Sequence, residues 1–305
     1  MMLRFTLRQI EYAVAILDHG SVAAASVRLG VAQPTLSAAL AKLEDQVGLK
    51  LFIRHHAQGV SPSPAGLKFL AEARNLLTHA TDLQRDTETA GTAIAGVVSL
   101  ASFATIAPAF VPQLISSFTA LHPAASVRMA EGTQDELFAG LRKGRHDLAL
   151  LYDIDMPDDL QVIPLTAFAP HILLPAGHRL TRLRQVPLIA LKDEPFILLD
   201  IAPSRTYFTR ILDQAGITPS IAFSSPSLEV VRGLVGQGLG YSILVTRPHG
   251  DHSYAGDALA VRPIADAVER GVIALAALKQ MRKTRLVAAF ETHCIKYFQK
   301  IGNNG

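Results

Sequence analysis

Residues 21–52, SVAAASVRLGVAQPTLSAALAKLEDQVGLKLF, constrain the fold of this chain more tightly than any other stretch. Ser21 is placed to cap a short helix carrying Val22, Ala25 and Leu29, and Gly30 suits the left-handed residue that stops it. Pro34 fits the first turn of a following helix, where its missing N–H costs nothing. That helix lines up Leu36, Leu40, Leu43 and Val47 on one face and ends at Gly48. Upstream, Leu7, Ile10, Ala13, Val14 and Leu17 recur at helical spacing between Thr6, a candidate N-cap, and Gly20. Short helices joined by tight glycine turns predict a helix-turn-helix, a device that sets a helix N-terminus against DNA.

The next segment, LKLFIRHHAQGVSPSPAG, holds two strand-like pieces, Leu51-Phe52-Ile53-Arg54 and Val60-Ser61, about a Gln58-Gly59 turn. This is the pattern of a β-hairpin wing. The candidate DNA-contacting residues are Ser21, Gln33, Pro34, Thr35, Ser37 and Lys42 from the helices, with Arg54 and Ser61 from the wing. Glutamine can read adenine in the major groove, serine and threonine can bond bases or phosphates, and wing residues meet phosphate or the minor groove. A plain helical bundle with a capped third helix remains open on these residues alone.

The charge balance limits how DNA could be held. The chain sets 29 basic against 26 acidic residues for a net +3, too little for a sequence-blind coat, so binding must come from a local patch. Its 305 residues, half of them apolar, suit two or more domains with sizeable cores at ~150 residues per domain. Cys294 is the single cysteine, which excludes an intramolecular disulfide and a cysteine zinc cluster. Its apolar surroundings, LVAAFETHCIKYF, predict a buried structural thiol. No run of ~18 uncharged apolar residues marks a membrane helix. The N-terminus lacks a signal-peptide core and cleavage site. A cytoplasmic location is expected.

Residues 65–92 contain no proline, and Leu67, Leu70, Ala73, Leu76, Leu77, Ala80 and Leu83 form a narrow seam at three-four spacing. One long helix is predicted, its seam suited to packing on a second copy, with Ala90-Gly91-Thr92 as a hinge. From Gly96 onward, strand-like VVSLASF, SVRMAEG and DLALLY alternate with helical VPQLISSFTALH and DELFAGLRKG, and the alternation continues through VIALAAL. This predicts parallel-sheet α/β structure, with too many strands for one sheet and so two lobes.

Serines and threonines recur where strands pass into helices: Ser102-Phe103-Ala104-Thr105, Thr133, Ser204 and Ser225. Helix N-termini beyond strand ends offer free N–H groups to a carboxylate, although each such residue can equally be an N-cap. Asp200 could cap a helix, or face a cleft and favour an amine-bearing acid. Alternatively Arg205 neutralises it and the ligand is an ordinary organic acid. Gly236-Gln237-Gly238-Leu239-Gly240 lacks dinucleotide-loop spacing and follows a helix, so a turn is expected. His249-Gly250-Asp251-His252 has no further spaced ligands, and no metal is expected there. No nucleophile elbow or local triad appears, so no enzyme activity and no cofactor are expected.

Together these features resemble the LysR-type transcriptional regulators. The resemblance lies in Leu7-Arg8-Gln9-Ile10, Gly20-Ser21-Val22-Ala23-Ala24-Ala25, Gln33-Pro34-Thr35-Leu36-Ser37, Leu43-Glu44, Gly48, Leu51-Phe52, Arg54 and Pro64-Ala65-Gly66. It continues through GRHDLAL from Gly144 and GQGLGY from Gly236, and spans essentially the whole chain. It implies an α/β fold class with an N-terminal all-α winged helix-turn-helix at 1–64 and a linker and dimerisation helix at 65–92. Residues 93–305 would form a two-lobed, periplasmic-binding-protein-like effector domain, with lobe I at about 93–165 and 267–305 and lobe II at about 166–266. The implied partners are a double-stranded DNA operator, a small-molecule effector of carboxylate or amino-acid-like type, further copies in a homodimer or homotetramer, and RNA polymerase. The implied effector residues are Ser102, Phe103 and Thr105 after the first strand, then Thr133, then Asp200, Ile201, Ala202 and Ser204 after PFILL. Ala38-Ala39 departs from the basic or amide residue many relatives carry after the helix serine, so base readout would rest on Gln33, Thr35 and the wing. His55-His56 on the wing is also unusual. Two rival readings are a solute-binding module with an accessory N-terminal helical domain and an enzyme built on the α/β lobes.

Overall fold

A computed structural model describes residues 4–55, 59–88 and 94–302, leaving out the side chains of 82–88. The turn residues His56 and Gln58, the Leu83 side chain and the Ala90-Gly91-Thr92 hinge lie outside the described residues. Helix α1 (Leu7–His19) opens with a capping box: the Thr6 hydroxyl accepts from the Gln9 amide, and the Gln9 side chain accepts from the Thr6 amide. Ser21 caps α2 (Val22–Leu29), and α3 spans Gln33–Val47. Gly20, Gly30 and Gly48 all end their helices in the left-handed region, at φ 68°, 65° and 69°. The apolar faces read from the sequence meet in one core, where Ile10, Ile16, Leu36 and Leu43 are fully or almost fully buried.

Strands β1 (Phe52–His55) and β2 (Gly59–Pro62) pair antiparallel as the predicted wing. The Val60 amide donates to the Gly20 carbonyl at 2.8 Å, which pins the wing to the α1–α2 turn. Helix α4 runs Pro64–Glu88. Its seam divides, contrary to the single face expected for a second copy. Leu70 and Ala73 are buried in the chain's own helix-turn-helix core and Leu77 packs against it, whereas Leu67 and Leu76 are exposed. The α1 face needed cover, and the first turns of α4 supply it.

The remainder contains β3 (Gly96–Phe103), α5 (Ala107–Leu121), β4 (Ala125–Gly132), α6 (Gln134–Arg142), β5 (Leu148–Tyr152) and β6 (Leu160–Phe168). There follow β7 (His171–Pro175), β8 (Phe196–Leu199), α7 (Ser204–Gln214), β9 (Ile221–Ser225) and α8 (Leu228–Gly236). The chain closes with β10 (Ser242–Leu244), β11 (Leu259–Pro263), β12 (Gly271–Leu278) and α9 (Arg285–Gly302). One lobe holds a sheet in the order β4-β3-β5-β12-β6. The other holds β10-β7-β11 and the pair β8-β9, joined by a bridge between Phe196 and Tyr241.

The expectation of parallel sheets is corrected here. β3 runs parallel to β4 and β5, but β12 is antiparallel to both β5 and β6, and β10 and β11 are antiparallel to β7. The chain leaves the first sheet after β6, builds the second lobe with α7 and α8, and re-enters as β12 with no helix crossing over the first sheet. Only strands joined through such a helix are held parallel. Gly236 to Gly240 forms a turn after α8, with Gly238 at φ 77°. Among the described residues no helix is long and apolar enough to cross a membrane.

Candidate functional site

Two surfaces carry the chemistry. On the first, Ala32 gives α3 no side-chain cap, so the amides of its first turn are left for an outside acceptor. Gln33, Pro34, Thr35 and Lys42 are exposed on this helix, Ser37 is half-buried beside them, and Arg54 is exposed on the wing. Ser21 is spent as a cap, accepting from the Ala24 amide at 3.1 Å. Ser61 pairs with His55 across the wing at 2.7 Å.

Glu44 fixes the wing relative to α3. Its buried carboxylate accepts from the Leu51 amide at 2.8 Å, the Phe52 amide at 3.3 Å and the Lys50 ammonium at 2.9 Å. Burial pushes this carboxyl up, but the hydrogen bonds from Lys50, Leu51 and Phe52 outweigh it and hold the pKa below its ordinary value. A depressed folded pKa means stability that is present above the unfolded pKa and lost as pH falls through the folded one. Urea unfolding of Glu44→Ala is therefore expected to show a loss of about 2 kcal/mol at pH 7 that shrinks in acid. A loss that is constant down to pH 3 would remove this role from Glu44.

The second surface is a cavity of about 1030 Å³ bounded by both lobes. The first lobe contributes Thr105, the outer face of α5 with Phe110, and Tyr297 and Ile301 of α9. The crossing between β6 and β7 contributes Phe168 to His171. The second lobe contributes Ser227 at the start of α8, Thr246 and Arg247 after β10, and Val261. Phe110 stacks on Phe168 with ring centroids 5.6 Å apart. The Tyr152 hydroxyl at the end of β5 bonds Thr246 at 2.7 Å, tying the two lobes together at the cavity wall.

Two family models match this chain. "Bacterial regulatory helix-turn-helix protein, lysR family" covers residues 7–67. "LysR substrate binding domain" covers residues 91–299. The chain belongs to the LysR family. It is a DNA-binding transcriptional regulator with an effector-binding domain, and not an enzyme. A crystal structure of a LysR-family protein of Pseudomonas aeruginosa, PA01, is 41% identical, covers 98% of this chain and 100% of that one, and has a TM-score of 0.67. The structure of HinK, a LysR family transcriptional regulator from the same species, is 42% identical, covers 96% and 98%, and has a TM-score of 0.65. The HTH-type transcriptional regulator CysB of Haemophilus influenzae is 28% identical, over 80% of this chain and 76% of its own.

Of the effector residues named from the sequence of this LysR-family chain, Thr105 lines the cavity. The others are placed differently. Ser102 and Phe103 point into the first lobe and are buried, Phe103 edge-on to Tyr152. Thr133 caps α6 in a capping box with Glu136. Asp200 is bound by Arg205, Nε to Oδ1 at 2.6 Å, which holds its carboxyl below the usual range. Ile201 and Ser204 are buried, Ala202 is exposed, and Ser204 starts α7 without capping it. The cavity instead uses His171, Thr246, Phe110, Phe168 and Tyr297, which the sequence reading passed over. One signal was available: His171 is a polar residue opening an apolar strand, directly after Pro170, where the chain crosses between lobes. The solvent-shielded Cys294 thiol is pushed up by burial and sits in the core of the first lobe. Among the described residues no group of three or more His, Cys, Asp or Glu is placed to hold a metal ion.

Proposed function

We propose that this LysR-family chain binds operator DNA through paired winged helices, and that a small molecule in the interlobe cavity controls the binding. The supporting observation is a cavity whose walls come from both lobes and meet at the Tyr152–Thr246 hydrogen bond. An occupant that favours one lobe arrangement shifts the population of the whole chain. Pairing of copies to place two recognition helices on a partly palindromic site is part of the proposal, as a homodimer or homotetramer in the cytoplasm. The exposed Leu67 and Leu76 of α4 support self-association. RNA polymerase is a further proposed partner, at promoters where the chain activates.

The N-terminus of α8, capped by Ser227 at the cavity edge, supports a carboxylate-bearing effector. An amino-acid-like effector has less support, because Asp200 already has its cation in Arg205. The test is a gel shift with the chain's own upstream intergenic DNA over a salt series, with and without a panel of carboxylates and amino acids. A complex that weakens steeply with salt and responds to a panel member is expected. Absence of any salt-dependent complex would overturn the proposal.

A further inference from the structure

The cavity divides its polarity by lobe. The first lobe brings Phe110, Phe168, Tyr297 and Ile301 to the wall, and no charged side chain. Its Tyr297 hydroxyl donates to Gln113 at 3.0 Å, so these two polar groups satisfy each other. The charged groups and histidines of the lining, His171, Glu229, Arg247 and His249, all come from the second lobe.

The second-lobe end suits an anion. Arg247 has Asp251 as its partner at 3.0 Å, but both are more than half exposed, and Asp251 stands outside the lining. Such a pair is worth little, so the guanidinium can turn to an occupant. Glu229, the acid of the lining, is answered by the buried Arg232, whose Nε lies 3.3 Å away yet makes no hydrogen bond. His171 is 8% exposed and lines the cavity, and among the described residues nothing hydrogen-bonds its ring. Burial first, and then the charges of Arg247 and Arg232, lower its pKa to about 4. A field that opposes a proton on this ring favours an anion beside it, and a neutral imidazole still donates through one nitrogen. Leu228 and Glu229, in the first turn of α8, also line the cavity, where helix geometry leaves amides without partners inside the helix. The rest of the roughly 1030 Å³ is walled by rings and aliphatic groups, a chamber that a short acid leaves empty.

We infer that the effector is an amphipathic monocarboxylate, its head held by His171, Arg247 and the start of α8, and its apolar tail, about six carbons or more or the ring equivalent, laid against Phe110, Phe168 and Ile301. This rests on the carboxylate reading of the cavity and deepens it. Head and tail touch different lobes, so the whole compound spans both and neither part alone does. Butyrate, octanoate, 4-phenylbutyrate and octanamide are titrated into the full chain by calorimetry at neutral pH, and each is added to the operator gel shift. Octanoate carries four more methylenes than butyrate, each adding about fourfold when buried, and is expected to bind about a hundredfold tighter. 4-Phenylbutyrate is expected to gain to a similar degree. Octanamide keeps the tail without the charge and is expected to bind at least about tenfold more weakly than octanoate. Arg247→Gln is expected to reduce that preference about fivefold and leave octanamide unchanged. Phe110→Ala is expected to weaken octanoate about tenfold and leave butyrate unchanged. The wild-type series decides the matter even where a variant fails to fold. Gains below about tenfold for both tailed acids, or octanamide as tight as octanoate, overturn the inference. If tails add nothing but butyrate or another short carboxylate alters operator affinity, the inference falls and the carboxylate reading stands. If octanamide equals octanoate, or no carboxylate alters operator affinity, the carboxylate reading falls with it.

Discussion

Replacing Ser37 and Arg54 together by alanine is expected to weaken operator binding by about a hundredfold per subunit while small-molecule binding is unchanged. Ser37 is half-buried on α3 and Arg54 is exposed on the wing, and each lost base or phosphate contact costs ~1–3 kcal/mol. Two losses of ~1.4 kcal/mol multiply to two decades when the sites do not touch. Arg54→Ala alone is expected to lower the slope of log affinity against log salt by about one, because it removes a phosphate partner. Ser37→Ala is expected to leave that slope in place. Gel shifts at several salt concentrations, with a thermal-shift assay for ligand, separate the effects. Equal loss of DNA and ligand binding would mean that the two surfaces are not independent. Undiminished DNA binding would move the interface elsewhere.

Gly66→Ala is expected to destabilise the N-terminal unit by about 3 kcal/mol, since overpacking a tight contact costs ~1–3 kcal/mol or more. A Cβ here would lie 2.0 Å from the Leu51 carbonyl oxygen, and backbone cannot rotate away as a side chain can. The neighbourhood is already bound tightly. The Ser63 amide donates to the Leu51 carbonyl at 2.9 Å, the Ser63 hydroxyl donates to the Lys50 carbonyl at 2.5 Å, and the Gly66 amide donates to Ser63 Oγ at 2.9 Å. Relief requires the start of α4 to move off the wing. Operator binding should fall with stability, because Arg54 moves with the wing. Chemical unfolding followed by circular dichroism is expected to show an early transition for the N-terminal unit, with the effector-binding domain unfolding later. A single wild-type-like transition would show that the wing absorbs the methyl group at no cost.

The N-terminal helical unit was legible because its signals are local. Thr6, Ser21, Gly20, Gly30 and Gly48 each act within a few residues of their own position, and the structure places them as caps and stops. The wing follows from a short apolar pair about a glycine. Strand direction was not legible, because the antiparallel course of β12 depends on the chain crossing to the second lobe and back, which no local pattern records. The cavity was read least well for a related reason. Ser102 and Phe103 lie within a few residues of Thr105, yet they end a buried strand while Thr105 faces the cavity. The other hydroxyls at strand ends have separate local roles: Thr133 caps a helix, Ser225 accepts from the Ser227 amide at 3.2 Å, and Ser204 starts α7 without capping it. His171, Thr246 and Tyr297 meet only after some 126 residues of intervening chain have folded, and sequence spacing cannot register that.

On the proposed reading, the Tyr152–Thr246 bond is one of the contacts that an occupant of the cavity would have to keep or break. One hydrogen bond contributes a net ~1 kcal/mol, about fivefold in the balance between an arrangement that keeps it and one that breaks it. Thr246, and Thr105 across from it on the first lobe, both line the cavity. An occupant can therefore compete for the latch itself, and a preference of only about tenfold for one arrangement is enough to reverse a fivefold bias. Tyr152→Phe, which removes the latch and keeps the ring, would reset that balance rather than break it.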